Sequence, residues 1–417
     1  MQADNDDGLF QQYGGKMSGI WQTITQNDTD SKLIRAILQI KDHFPRDADV
    51  AAGLAQLIAA SGAQIPAKGP FSADLASTGG PSSLSTLACP LFLRIAGAVV
   101  PKLGVPGRPA GGIDCLAQIP NYRYALTEID VEKGLETSGY VHFIGEGIAP
   151  LDLRLFRLRQ QHSAQDVPTL VAASLMAKKL AVGVKQAGLD IRVAPHGNFG
   201  RTWESATQNA RLFIDVGHQL GISAAPVLTD GRFPYQPYIG RKEALLALYR
   251  LFDAQLSPWL NEHFDACRTM ALSCTPHHRR SQVQHASSTD LRDAFERNIN
   301  FQGGRVDSIR ELLNRTEAAH HFAISATQDG FVSFNLGGIR RILVERQRTR
   351  VTATNEFPDP VGVILTKRPG EWVQRGDCLA TLRVDDTTDL DVLSELAGSS
   401  IAVQPQPAST GLEGVPA

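Results

Sequence analysis

The stretch Ser77-Thr78-Gly79-Gly80-Pro81-Ser82-Ser83-Leu84-Ser85-Thr86 constrains this chain more than any other part of it. Ser72-Ala73-Asp74 before it reads as the end of a short strand, and Leu84 to Leu93 after it has the apolar spacing of a helix start. Paired glycines let backbone N–H groups approach a ligand closely. The first turn of the following helix offers unpaired donors with a partial positive charge. Strand, Gly-Gly turn and hydroxyl-rich helix start together make a seat for an anion. The alternative is an ordinary strand-to-helix turn with a Ser/Thr cap.

Whole-chain properties bound what such a seat serves. At 417 residues the chain exceeds a single compact core and suggests two or three domains. Lysine plus arginine (41) nearly cancels aspartate plus glutamate (43), so no global basic field argues for nucleic acid as a partner. No apolar run is long enough for a bilayer, and the acidic start Met1 to Asp7 lacks a signal-peptide pattern. A cytoplasmic location is the expectation, with no membrane partner. The cysteines Cys89, Cys115, Cys267, Cys274 and Cys378 are odd in number, scattered and without a Cys-x-x-Cys pair, which reads as reduced thiols.

Along the chain, Leu33, Ile34, Ile37, Leu38 and then Val50, Leu54, Leu57, Ile58 predict two amphipathic helices broken at Phe44 to Asp47. Residues 66–145 alternate short apolar runs with helical stretches, an α/β texture. Pro168 to Val184 predicts a helix with proline in its first turn, and Leu189 to Val193 a strand leading to the loop Ala194 to Gly200. A helix over Thr202 to Gly221, a strand over Ala224 to Thr229 and a helix over Lys242 to Phe252 follow. From Phe331 the chain turns Val/Ile/Thr-rich. This C-terminal stretch also invites a barrel-sandwich domain carrying a lipoyl or biotinyl arm, but no lysine has suitable small or acidic neighbours in its hairpin.

Gly107-Arg108-Pro109-Ala110-Gly111-Gly112, Ala149-Pro150-Leu151-Asp152, Arg159 and Ala173-Ser174-Leu175-Met176-Ala177-Lys178-Lys179 follow the Gly-Gly turn in that order. In order and separation they resemble the thymidine (pyrimidine nucleoside) phosphorylase family, from about the mid-fifties to about residue 385. The resemblance implies an α/β fold of the class II nucleoside phosphorylase type. It comprises a discontinuous helical domain (16–65 and 160–187), a mixed-sheet α/β domain (66–159 and 188–330) and a small β-rich C-terminal domain (331–403). Residues 404–417, rich in Pro, Gly and Ser, are expected to be a disordered tail.

By resemblance, Arg159, Ser174 and Lys178 fall on positions that contact the pyrimidine and take part in catalysis. Ser174 and Lys178, four apart, share one helix face. The first loop departs from the family's Asp-Lys-His-Ser-Thr-Gly-Gly, in which the lysine binds phosphate and the histidine assists base departure. Here Asp74-Leu75-Ala76-Ser77-Thr78-Gly79-Gly80 stands, with both ionisable side chains replaced by apolar ones. On a neighbouring loop Lys102 aligns with a family serine, and Arg108 stands where a family histidine is usual. The expectation is a remodelled phosphate pocket of Ser77, Thr78, Ser85, Lys102 and Arg108. His196, in a Gly-rich loop at a strand's end, is the candidate substrate-side acid. Cys274, His277, His278 and His285 invite a metal reading, but the cysteine spacing does not suit a zinc knuckle and Arg279-Arg280 disfavours a cation.

The function implied is a pentosyltransferase that cleaves a pyrimidine or related nucleoside with phosphate as co-substrate. It needs no cofactor or metal and acts as a homodimer. A nucleoside hydrolase, a transferase with a non-phosphate acceptor, and a non-catalytic nucleoside- or nucleotide-binding homologue are the alternatives. The related anthranilate phosphoribosyltransferases share the fold and a Gly-Thr-Gly-Gly loop, without a clear counterpart here to their phosphoribose signature.

Overall fold

The computed structural model describes residues 29–66, 69–106, 111–145 and 147–406. The expected tail beyond residue 406, the start of the expected helical domain and Arg108 lie outside the described residues.

Two helices open the described chain, α1 (Asp30–His43) and α2 (Ala48–Ala60). The break falls where Asp47 caps α2, its carboxylate accepting the Val50 N–H at 3.0 Å. The strand-turn-helix follows as β1 (Ala73–Ser77) and α3 (Ser85–Ile95). Gly79 and Gly80 turn the chain between them with φ of 97° and 144°, a region closed to most residues. The strand runs through Ser77, past the Asp74 expected from sequence.

Next come β2 (Val100–Leu103), the short α4 (Gly112–Leu116), α5 (Glu128–Thr137), β3 (Tyr140–Phe143), α6 (Pro150–Gln161) and α7 (Pro168–Ala181). The chain returns through β4 (Gln186–Val193), α8 (Trp203–Gln219) and β5 (Ser223–Asp230). Strand β4 lies between β1 and β5 and pairs parallel with both, while β2 pairs parallel with β3. The register sets Ser77 opposite Asp190 and Lys102 opposite His142.

Three apolar cores result. Helices α1, α2, α6, α7 and α8 enclose one, together with Leu189, Ile191 and Val193 of β4. A second lies beyond β1, where Leu75 packs with α3 and with the helices α9 (Arg241–Phe252), α10 (Pro258–Ser273), α11 (Ser288–Phe301) and α12 (Val306–Glu317). The third fills the C-terminal unit of antiparallel strands, β7 (His320–Ser325), β8 (Gly330–Phe334), β9 (Val361–Leu365), β10 (Trp372–Val373), β11 (Cys378–Val384) and β12 (Ile401–Gln404). That unit also holds two helices that the β-rich texture hides, α13 (Leu336–Thr349) and α14 (Asp391–Ser399).

Arg383 on β11 ties this unit to the rest. Fully buried, it binds Glu243 of α9 at 2.5 Å, Asp359 at 2.9 Å and Asp385 at 2.5 Å. Strand β6 (Tyr238–Ile239), just before α9, extends the same C-terminal sheet by pairing with β9. No described helix is long and apolar enough to cross a membrane.

Candidate functional site

Two buried polar clusters flank the Gly-Gly turn. The first surrounds Asp74 on β1, whose carboxylate is shared by two lysines from different elements. Lys102 of β2 reaches it at 2.8 Å and also donates to the Leu75 carbonyl at 2.6 Å, while Lys179 of α7 binds the other carboxylate oxygen. Burial pushes the Asp74 carboxyl up, but the two ammonium groups outweigh that and hold it well below the usual carboxylate range. Lys179 is pulled down by burial against the opposing pull of Asp74. Two cations and one anion leave a net positive charge under the loop.

Leu75, by contrast, turns away from the loop. It is fully buried in the second core and packs over Gly188, which lacks the Cβ that would obstruct it. A side chain at this position meets apolar neighbours, so the leucine here serves as a core contact.

The second cluster lies at the other end of the turn. Asp190, opposite Ser77, accepts from Ser85 Oγ at 2.9 Å, from Arg192 Nε at 3.0 Å and from Thr229 Oγ1 at 2.8 Å. Arg192 also donates to the Gly80 carbonyl at 3.2 Å and to Ser85 Oγ at 3.3 Å. Its backbone N–H binds Thr78 Oγ1 at 3.0 Å. Tyr235 covers the guanidinium at 5.7 Å and stacks on His263 at 5.5 Å. His263 Nε2 accepts the Leu84 N–H at 2.8 Å, and burial pushes its imidazole down to about 3. Ser77 Oγ accepts the Gly79 N–H at 3.1 Å, which leaves its own proton for a ligand. Ser77, Thr78 and Ser85 therefore gather around one turn.

A third group lies on α7. Lys178 Nζ binds Asp152 Oδ2 at 2.7 Å and Ser174 Oγ at 2.9 Å, so the expected helix face is built, with a carboxylate added from α6. Asp152 Oδ1 is buried without a hydrogen-bond partner. Arg159, buried at the end of α6, donates to the carbonyls of Ala164, Gln165 and Leu170 at 3.2, 2.8 and 3.2 Å. Its guanidinium holds the turn that leads into α7. His196 is exposed and lies toward Gly337 at the start of α13, with partial desolvation and Arg340 pulling its imidazole down.

Sequence reasoning missed Asp190, Arg192, Thr229 and Tyr235. The one available signal was the position of Asp190, Arg192 and Thr229 in the C-terminal halves of two parallel strands, where open α/β sheets place their sites, with Tyr235 in the loop that follows the second. Among the described residues no cluster of His, Cys, Asp and Glu is placed to hold a metal ion.

No protein-family model matches the chain. It is similar to the pyrimidine-nucleoside phosphorylase of Staphylococcus haemolyticus, 25% identical over 349 residues that cover 80% of this chain and 79% of that protein. The pyrimidine-nucleoside phosphorylase of Bacillus subtilis is 26% identical over 327 residues, 74% of this chain and 73% of that protein. Among solved structures, anthranilate phosphoribosyltransferase from Thermus thermophilus superposes with a TM-score of 0.51 and 14% identity, covering 68% of this chain and 93% of that one. That likeness concerns the fold alone.

Proposed function

The chain is a homologue of the pyrimidine-nucleoside phosphorylases, and on that premise we propose that it is a pentosyltransferase acting on a pyrimidine or related nucleoside with phosphate as acceptor. In this reaction the bond from C1′ of the sugar to the base nitrogen breaks, and a bond from C1′ to a phosphate oxygen forms. Positive charge develops on the sugar and negative charge on the base, so donors aimed at the base and at the phosphate lower the barrier.

The observation that carries the reading is the Lys178, Ser174 and Asp152 arrangement. Asp152 and Ser174 fix the ammonium in one direction, and a fixed cation stabilises the electrons left on a departing base better than a mobile one. In this reading Lys178 and Ser174 face the base, and Arg159 orders the turn from which α7 starts. Ser77, Thr78 and Ser85 border the phosphate. Lys102 acts from beneath the loop through the net positive charge around Asp74. A homodimer in the cytoplasm belongs to the same reading.

The test is base release from a panel of pyrimidine nucleosides with and without inorganic phosphate. Release that requires phosphate supports phosphorolysis. Release without it makes the protein a hydrolase, and nucleoside binding without release makes it a non-catalytic homologue.

A further inference from the structure

We propose that Arg192, oriented by Asp190, is the cation that meets the acceptor anion. This rests on the phosphorolytic reading and names the residue that performs, from another strand, the task left open by Leu75 and Ala76. Position 75 faces the core, and position 76 carries only a methyl group.

Lys102 does not fill the same place. Its ammonium is held under β1 by Asp74 and the Leu75 carbonyl, away from the Gly-Gly turn that Arg192 touches. It contributes a field and no direct contact.

Arg192 bridges both walls of the seat. One terminal nitrogen binds Gly80 in the turn, and the other binds Ser85 at the first position of α3. The approach depends on glycine, because a Cβ at Gly80 would lie 2.6 Å from Arg192 Nη1. The Asp190 carboxylate fixes the guanidinium through Nε, and its oxygens are themselves taken up by Arg192, Ser85 and Thr229. The Tyr235 ring covers the guanidinium and limits the water around it.

A guanidinium carries five N–H donors, and the bonds to Asp190, Gly80 and Ser85 engage three of them. Two remain, both on the terminal nitrogens, in the planar fork that matches a phosphate's oxygens. Ser77's hydroxyl proton adds a further donor beside them.

The experiment follows thermal unfolding as inorganic phosphate is titrated without nucleoside, so that binding is read apart from catalysis. Wild type gains stability with phosphate. In Arg192→Gln the phosphate concentration giving half of the effect rises roughly tenfold or more, in line with loss of a charge-assisted contact. Arg192→Lys, which keeps the charge without the fork, shifts it less, and it carries the test if the glutamine variant does not fold. Lys102→Met shifts it less than Arg192→Gln. Unchanged half-saturation in both Arg192 variants, or a larger shift at Lys102, overturns the assignment. A wild-type protein indifferent to phosphate overturns the anion site itself, and the phosphorolytic reading with it.

Discussion

Lys102 Nζ lies 2.8 Å from Asp74 Oδ1, deep in the protein, while Lys179 holds the opposite oxygen of the same carboxylate. Removing the carboxylate therefore strands two buried cations, whereas removing Lys102 leaves a balanced pair. Asp74→Asn is expected to destabilise the fold by about 3–5 kcal/mol in urea unfolding, and Lys102→Met by clearly less. Equal losses would show that the two lysines are not sharing one charge.

The base side makes a different prediction. Lys178→Met removes the ammonium fixed by Asp152 and Ser174, and kcat/KM for the nucleoside is expected to fall by roughly 10²-fold or more. Asp152→Asn keeps the ammonium but loosens its direction, so its loss is smaller and lies mainly in kcat. Steady-state kinetics separate the two, and a Lys178→Met variant with wild-type kcat/KM removes Lys178 from the site.

Placing a Lys-His pair at positions 75 and 76 should not create a phosphate pocket there. Leu75 is fully buried among α3, α9 and α10, so Leu75→Lys places an ammonium among apolar groups with no carboxylate assigned to it. The double variant Leu75→Lys with Ala76→His is expected to lose several kcal/mol of stability, by the usual cost of an unpaired buried charge. Chemical denaturation measures this. A stable double variant with a lowered phosphate requirement would mean that the lysine reaches the loop after all.

Acid sensitivity follows from His263. Burial holds its imidazole at about 3 in the fold, against roughly 6.5 in an unfolded chain. Between those values the unfolded chain binds the extra proton. The stability that this residue contributes is therefore present above about pH 6.5 and is lost as pH falls toward 3. His142 is displaced in the same direction by burial and by Lys102. His263→Gln, which keeps an acceptor for the Leu84 N–H, should flatten the fall in stability between pH 6.5 and 4 by up to ~1.4 kcal/mol per pH unit. An unchanged slope would show that His263 is protonated in the fold.

Much of the fold was legible because its signals are local. Apolar spacing marks α1 and α2, and the residues around Asp47 mark the break between them; Pro168 marks the start of α7. The pairing of Ser174 with Lys178 also follows from helical geometry. The polar clusters were not legible, because they depend on pairing between distant segments. Arg192 meets Gly80 and Ser85 only once β4 lies beside β1, and Lys102 meets Asp74 only once β2 and β1 are neighbours. Leu75 reads in sequence as a lost ligand, and its burial shows what the leucine contributes instead. Helix α13 was hidden by the Val/Ile-rich texture on either side, although Asn335 caps it through the Gly338 N–H.

In the proposed reaction the sugar passes from a base to phosphate. The most direct measurement is ³¹P NMR of the purified protein incubated with uridine or thymidine and inorganic phosphate, with the free base quantified in the same sample. Phosphorolysis gives a new phosphate-ester resonance, from phosphate joined at C1′ of the pentose, growing in step with the released base. Base released with no such resonance, or neither product formed from nucleosides that the protein binds, would contradict it.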